Sequence, residues 1–97
     1  MKKELTVIFR KYSNGDVIAL FPYELENAYG DVLSYMHIGQ HSIATYNFVI
    51  RNTKLATEEE YSDLLNELKG IYDGHKIKVL KRMNGRKYRN ELGRILF

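Results

Sequence analysis

The stretch Ser34–His41, SYMHIGQH, concentrates the polar groups of this chain that are able to do chemistry. Two histidines four residues apart suggest a metal pair at first sight. In extended backbone, four residues at ~3.3 Å each hold His37 and His41 ~13 Å apart, too far to share an ion. A bulge at Gly39 is the feature that would bring them closer. No cysteine and no second histidine-rich stretch supplies further ligands, so neither a metal site nor a cofactor is expected. In a regular strand Tyr35, His37, Gly39 and His41 share one face, while Met36 and Ile38 point to the other. The first set, with Gln40 and with Arg10 and Tyr12 if the strands pair on that side, forms a candidate binding surface. Two histidines beside basic groups also have the makings of metal-independent phosphodiester cleavage, one as base and one as acid. The simpler reading, structural hydrogen bonds from both histidines, weighs more heavily, and no catalytic residue is assigned.

A second set of candidates lies at the C-terminal end. Residues 75–97 hold eight Lys/Arg against one Glu, a balance of +7, whereas residues 1–74 hold seven Lys/Arg against eleven Asp/Glu, a balance of −4. Such an end either attracts an acidic partner, nucleic acid above all, or complements the acidic stretch Glu58–Glu60 within the chain. Arg82, Arg86, Lys87 and Arg89 are the candidate nucleic-acid contacts. Lys76 and Lys78 share one strand face, which also suits an ordinary charged edge. The sequence carries no aromatic RNA-recognition motif or zinc finger. It also lacks a glycine-rich phosphate loop, a G-x-S-x-G nucleophile turn and an H-E-x-x-H metal motif.

Ninety-seven residues suit one domain, 1–97, able to bury about 60–65% of its unfolded surface. The absence of cysteine removes disulfides and thiolate chemistry from consideration. No apolar run approaches the ~20 residues of a membrane helix. The stretch after the basic Met1-Lys2-Lys3 is interrupted by Arg10 and Lys11, unlike a secretory leader. A cytoplasmic location without membrane association is the expectation.

The elements that must position these groups begin with Leu5–Pro22, LTVIFRKYSNGDVIALFP. Asn-Gly between apolar runs predicts a β-hairpin with a two-residue turn. That turn pairs Ser13 with Asp16, and then Lys11 with Ile18, Phe9 with Leu20 and Val7 with Pro22. One face then carries Leu5, Val7, Phe9, Ile18 and Leu20. The other carries Thr6, Ile8, Arg10, Tyr12, Val17, Ala19 and Phe21, too apolar for simple solvation. Either later parts of the chain cover it, or it is a contact surface between two copies through Thr6, Ile8, Tyr12 and Phe21.

Tyr23–Asp31 reads as a loop. Leu33–Ile50, uncharged and rich in β-branched and aromatic residues, predicts a strand near 33–38 and a second extended piece near 46–50. Thr57 and Glu60 have capping-box spacing, and Tyr61, Leu64, Leu65 and Leu68 follow the period of one buried helix face. Gly70 marks a stop. A strand over 76–82, a turn at Asn84-Gly85 and a helix over 86–97 with Tyr88, Leu92, Ile95 and Leu96 on one stripe complete the chain. The fold class is α+β: a mainly antiparallel sheet, one amphipathic helix on a face and a C-terminal helix.

Several stretches, FRKY with NGDVIALFP, SYMHIGQH and TEEEY, together resemble a group of short bacterial proteins to which no activity is attached. The resemblance covers most of residues 5–70. It implies one compact domain and transfers no site residue. The expectation is therefore a small, non-enzymatic binding or interaction domain. Nucleic-acid binding through the basic end is the first alternative, and a small nuclease using His37 and His41 the second.

Overall fold

A computed structural model of the chain describes residues 4–27, 31–36 and 40–96. The expected bulge at Gly39 and the candidate His37 lie outside the described residues, as do the side chains of Gln40, Leu92, Arg94, Ile95 and Leu96. The architecture is α+β. Strands β1 (Glu4–Lys11), β2 (Val17–Leu25), β3 (Asp31–Met36) and β4 (Gln40–Thr45) form an antiparallel meander. Helix α1 (Tyr46–Asn52), the two-residue strand β5 (Lys54–Leu55), helix α2 (Glu58–Ile71), strand β6 (Lys76–Leu80) and helix α3 (Gly85–Leu96) follow. Both β5 and β6 pair with the outer edge of β1. β5 is antiparallel beside Arg10 and Lys11, and β6 is parallel along Glu4–Ile8. The parallel pairing is the one departure from the antiparallel pattern expected.

The β1–β2 hairpin exists, but its register differs by one residue from the two-residue turn. Lys11 pairs with Val17, Arg10 with Ile18, Phe9 with Ala19 and Ile8 with Leu20. The turn is wider. The Tyr12 N–H donates to the Asp16 carbonyl at 2.8 Å and the Gly15 N–H to the Tyr12 carbonyl at 2.9 Å. Gly15 carries the positive φ, 96°, and the Asn14 side chain accepts from the Asp16 N–H at 2.9 Å. A three-residue loop closed by glycine in the left-handed region is the next commonest hairpin after the two-residue one.

A slip of one residue moves every side chain of a strand to the other face relative to its partner. Leu5, Val7 and Phe9 therefore share a face with Ala19, Phe21 and Tyr35, against Leu64 and Leu68 of α2. Ile8, Ile18, Leu20 and Val32 share the opposite face with Tyr46 and Val49 of α1, and Tyr88 of α3 packs on it. The sheet is thus covered on both sides. Thr6, Ile8 and Phe21 are buried within the chain, Ile8 and Phe21 completely. Ile8 and Phe21 also belong to opposite faces, which corrects the expected contact surface through Thr6, Ile8, Tyr12 and Phe21. Internal cover accounts for their apolar character.

Residues 46–50 are helical, not extended as their composition suggested. Tyr46, Val49 and Ile50 have i, i+3, i+4 spacing, and Tyr46 and Val49 are buried on the sheet. That burial outweighs a modest β propensity. Four carbonyls of this short helix find side-chain donors, Val49 and Ile50 of its last turn among them. Arg51 Nε reaches Asn47 O (3.4 Å), Asn52 Nδ2 reaches Phe48 O (2.7 Å), and Thr53 Oγ1 reaches Val49 O (2.5 Å). Arg10 Nη2 donates to Ile50 O at 3.0 Å. Groups that a helix end leaves unpaired are thereby satisfied without continuing the helix.

The capping box at α2 is present as the sequence indicated. The Glu60 N–H donates to Thr57 Oγ1 (3.3 Å) and the Thr57 N–H to Glu60 Oε1 (2.9 Å). The helix runs through Gly70 to Ile71, and the tight turn falls later, at Gly74 with φ 88°. One glycine near a helix end costs about 1 kcal/mol against alanine, too little to stop it. Asn84-Gly85 stands at a helix start. Asn84 Oδ1 accepts from the Arg86 and Lys87 N–H groups at 3.0 and 3.3 Å and so begins α3. β2 also runs into the stretch expected as loop, to Leu25.

Candidate nucleic-acid interface

The parallel register of β6 on β1 decides where its cations go. Lys76 lies beside Glu4 and Lys78 beside Thr6, in phase with Ile8, so both stand on the sheet side that carries α3. Ile77 and Val79, in phase with Leu5 and Val7, turn toward α2. Arg82 is exposed in the link from β6 to α3, and Arg86, Lys87 and Arg89 are exposed on α3 while Tyr88 between them packs inward. The three candidates on α3 and the two β6 lysines thus lie on one side of the sheet, with Arg82 in the link between those elements. Among the described residues, none of these six cations makes an ion pair.

The start of α3 is anchored from β2. The Asn84 N–H donates to Tyr23 Oη at 2.6 Å, and Lys87 Nζ stands 4.6 Å from the centre of the Tyr23 ring. A cation over an aromatic face is worth about 0.5–1 kcal/mol at an exposed site. Tyr46 and Tyr88 meet with ring centres 6.3 Å apart, which joins α1 to α3. Burial raises the pKa of both hydroxyls. For Tyr46 a hydrogen bond with the Met83 backbone works against that rise, and for Tyr88 the Asp31 charge adds to it.

The acidic helix lies across the sheet. Glu58, Glu59, Glu60, Asp63 and Glu67 of α2 are on the opposite layer from α3. Glu60 is engaged by Lys11 of β1. The Lys11 ammonium, with the Thr57 backbone N–H, holds the Glu60 carboxyl down to about 2. Glu60 therefore finds its ionic partner in β1, and among the described residues no ion pair joins the acidic stretch to the basic end.

The other candidate group is divided by the sheet. Tyr35 and His41 are neighbours in the β3–β4 register and face α2. Their rings meet edge to face at 4.6 Å, and His41 Nε2 lies 2.8 Å from Tyr72 Oη. The Tyr35 hydroxyl donates to Glu67 of α2, and Tyr35 is 1% exposed. Burial, with the Glu24 charge, raises the pKa of Tyr72. Gln40 pairs through its backbone with Met36. Arg10 does not join this group. It is in phase with Ile8 and Ile18 on the other face, where Nε donates to Thr53 Oγ1 (2.9 Å) and Nη2 to Thr53 O (2.7 Å). Its guanidinium closes α1 onto β1. Tyr12 likewise packs on the α1 side. The Tyr35–His41 pair acts as a polar seam between the meander and α2. Among the described residues, no three His, Asp or Glu side chains are grouped as a metal site requires.

Comparison with known proteins gives no match: no family model, no curated protein and no solved structure matches the chain. One residue that shapes the basic side had no signal in the sequence: Tyr23 meets Asn84 across 61 positions.

Proposed function

We propose that the protein is a non-catalytic nucleic-acid-binding domain that grips the phosphate backbone with the β6–α3 side of its sheet. The observation that carries this reading is the placement of Lys76, Lys78, Arg86, Lys87 and Arg89 on the side opposite α2, with Arg82 exposed in the link between them, all without ionic partners among the described residues. Acid nearby is represented by Glu4 across from Lys76 and by Asp31 near Tyr88. Asp31 accepts from Asn27 and Thr45 side chains. Lys and Arg on one surface release counterions from a polyanion, and that release supplies most of sequence-independent binding. Tyr23 and Asn84 hold the first turn of α3 in place, so the cations there are presented from an ordered element.

The test is a titration of a labelled oligonucleotide at several salt concentrations, with the native chain and with Arg82, Arg86, Lys87 and Arg89 replaced by Gln. The expected result is binding that falls steeply with salt and a marked loss in the variant. Binding indifferent to salt, or equal in the two proteins, overturns the reading.

A further inference from the structure

Where the β1–β2 turn meets the end of α1, an open cleft of about 510 Å³ has Lys11, Tyr12, Ser13, Arg51 and Lys54 among its walls. Its size is within the roughly 300–1,000 Å³ of clefts that hold small ligands. No carboxylate is among the wall residues. Lys11 is already engaged by Glu60. Arg51 and Lys54 are exposed and make no ion pair among the described residues. The cleft thus has two uncompensated positive charges, with Tyr12 and Ser13 also in its walls.

A helix C-terminus ordinarily repels anions, because its last carbonyls carry partial negative charge. Here two carbonyls of the last turn of α1, Val49 and Ile50, accept from Thr53 and Arg10, and those of Asn47 and Phe48 before them accept from Arg51 and Asn52. The negative end that borders the cleft is therefore partly offset by donors. We propose that this cleft is a phosphomonoester site, with Arg51 and Lys54 as its charged contacts. A monoester carries about −1.5 to −2 at pH 7, which two cations match. A backbone diester carries half as much. The guanidinium of Arg51 offers the planar fork that suits two phosphate oxygens, and Lys54 adds a point charge. The site shares no residue with the β6–α3 surface, so either stands if the other falls.

The test uses the full chain labelled with ¹⁵N and titrated with inorganic phosphate, adenosine 5′-monophosphate and adenosine. Saturable shifts at the Ser13, Arg51 and Lys54 amides are expected with the first two and not with adenosine. Lys54→Gln, which removes no hydrogen bond of the fold, should weaken both by about tenfold, and Arg51→Gln by as much or more. Arg86→Gln with Arg89→Gln should leave both unchanged. A monophosphate that binds more tightly than inorganic phosphate assigns the site to a nucleotide end; equal affinity assigns it to the free anion. The proposal is overturned if the phosphate shifts map to α3 instead, if adenosine produces the same shifts, or if Lys54→Gln and Arg51→Gln bind as the native chain does.

Discussion

Replacing Arg82, Arg86, Lys87 and Arg89 together by Gln is the most informative perturbation of this protein. Six exposed cations are available on β6, on α3 and in the link between them: Lys76, Lys78 and these four. If each meets a phosphate, the logarithm of the binding constant falls with the logarithm of salt at a slope of about −5 for duplex DNA and about −4 for a single strand. Raising salt from 50 to 150 mM then weakens duplex binding by roughly 400-fold. The variant retains Lys76 and Lys78, so its slope should drop to about −2 and the same salt step should cost it only about sevenfold. Fluorescence anisotropy with a labelled oligonucleotide at four or five salt concentrations reads both slopes. Lys69→Gln is the control, since Lys69 is exposed on α2, across the sheet. Its slope should equal that of the native chain. The four replaced side chains make no ion pair among the described residues, so the variant should melt close to the native temperature, with the Lys87–Tyr23 contact the main loss. A variant slope equal to the native one refutes the assignment, as does a Lys69→Gln slope that drops as far.

Three further outcomes follow from the packing and the caps. Glu60 in the folded chain should titrate near 2, against an ordinary value of 4.5, as read by ¹³C carboxyl NMR. Because the folded value is the lower one, the contribution of Glu60 to stability is complete above about 4.5 and is lost as pH falls toward 2; in Lys11→Gln the titration should move back up. Asn84→Ala removes the acceptor for the Arg86 and Lys87 N–H groups and should cost about 1 kcal/mol in urea unfolding, whereas Asn84→Asp should cost much less. Ile8→Lys places a charge at a position with 0% exposure and should unfold the chain, visible as loss of the cooperative melt; a variant that stays folded with a native melt would put Ile8 on the surface.

The sequence made the helix of Glu58–Ile71 readable because its signals are local. The Thr57/Glu60 box and the spacing of Leu64 and Leu68 lie within one or two turns. The final helix was legible for the same reason. What escaped depends on distant contacts. The hairpin register turned on a turn one residue wider than the Asn-Gly pair suggests, and it puts Phe9, Ala19 and Phe21 together over α2. Residues 46–50 have side chains that suit a strand, and only the sheet beneath Tyr46 and Val49 makes them helical. Of the candidate site residues, Tyr35 and His41 do share a face, but as cross-strand partners of β3 and β4 rather than as positions along one strand, so that agreement came without the hairpin that produces it. Arg10 was assigned near them because a register error of one residue reverses a face.

The same register links fold to charge. With Leu5, Val7 and Phe9 facing α2, the parallel β6 must put Ile77 and Val79 on that side to extend the core, and Lys76 and Lys78 then have only the other side available. α3 leaves β6 on that other side and buries Tyr88 there, which leaves Arg86, Lys87 and Arg89 outward. The sheet thus separates an acidic layer from a basic one, and the separation is a consequence of core packing. A change that moved β6 by one residue on β1 would exchange lysines for Ile77 and Val79 at the core and carry the two charges to the acidic side. Affinity for a polyanion and stability of the core are therefore bound to a single register. Substitutions in β6 at Ile77 or Val79 should weaken both, whereas substitutions at Lys76 or Lys78 should weaken binding alone.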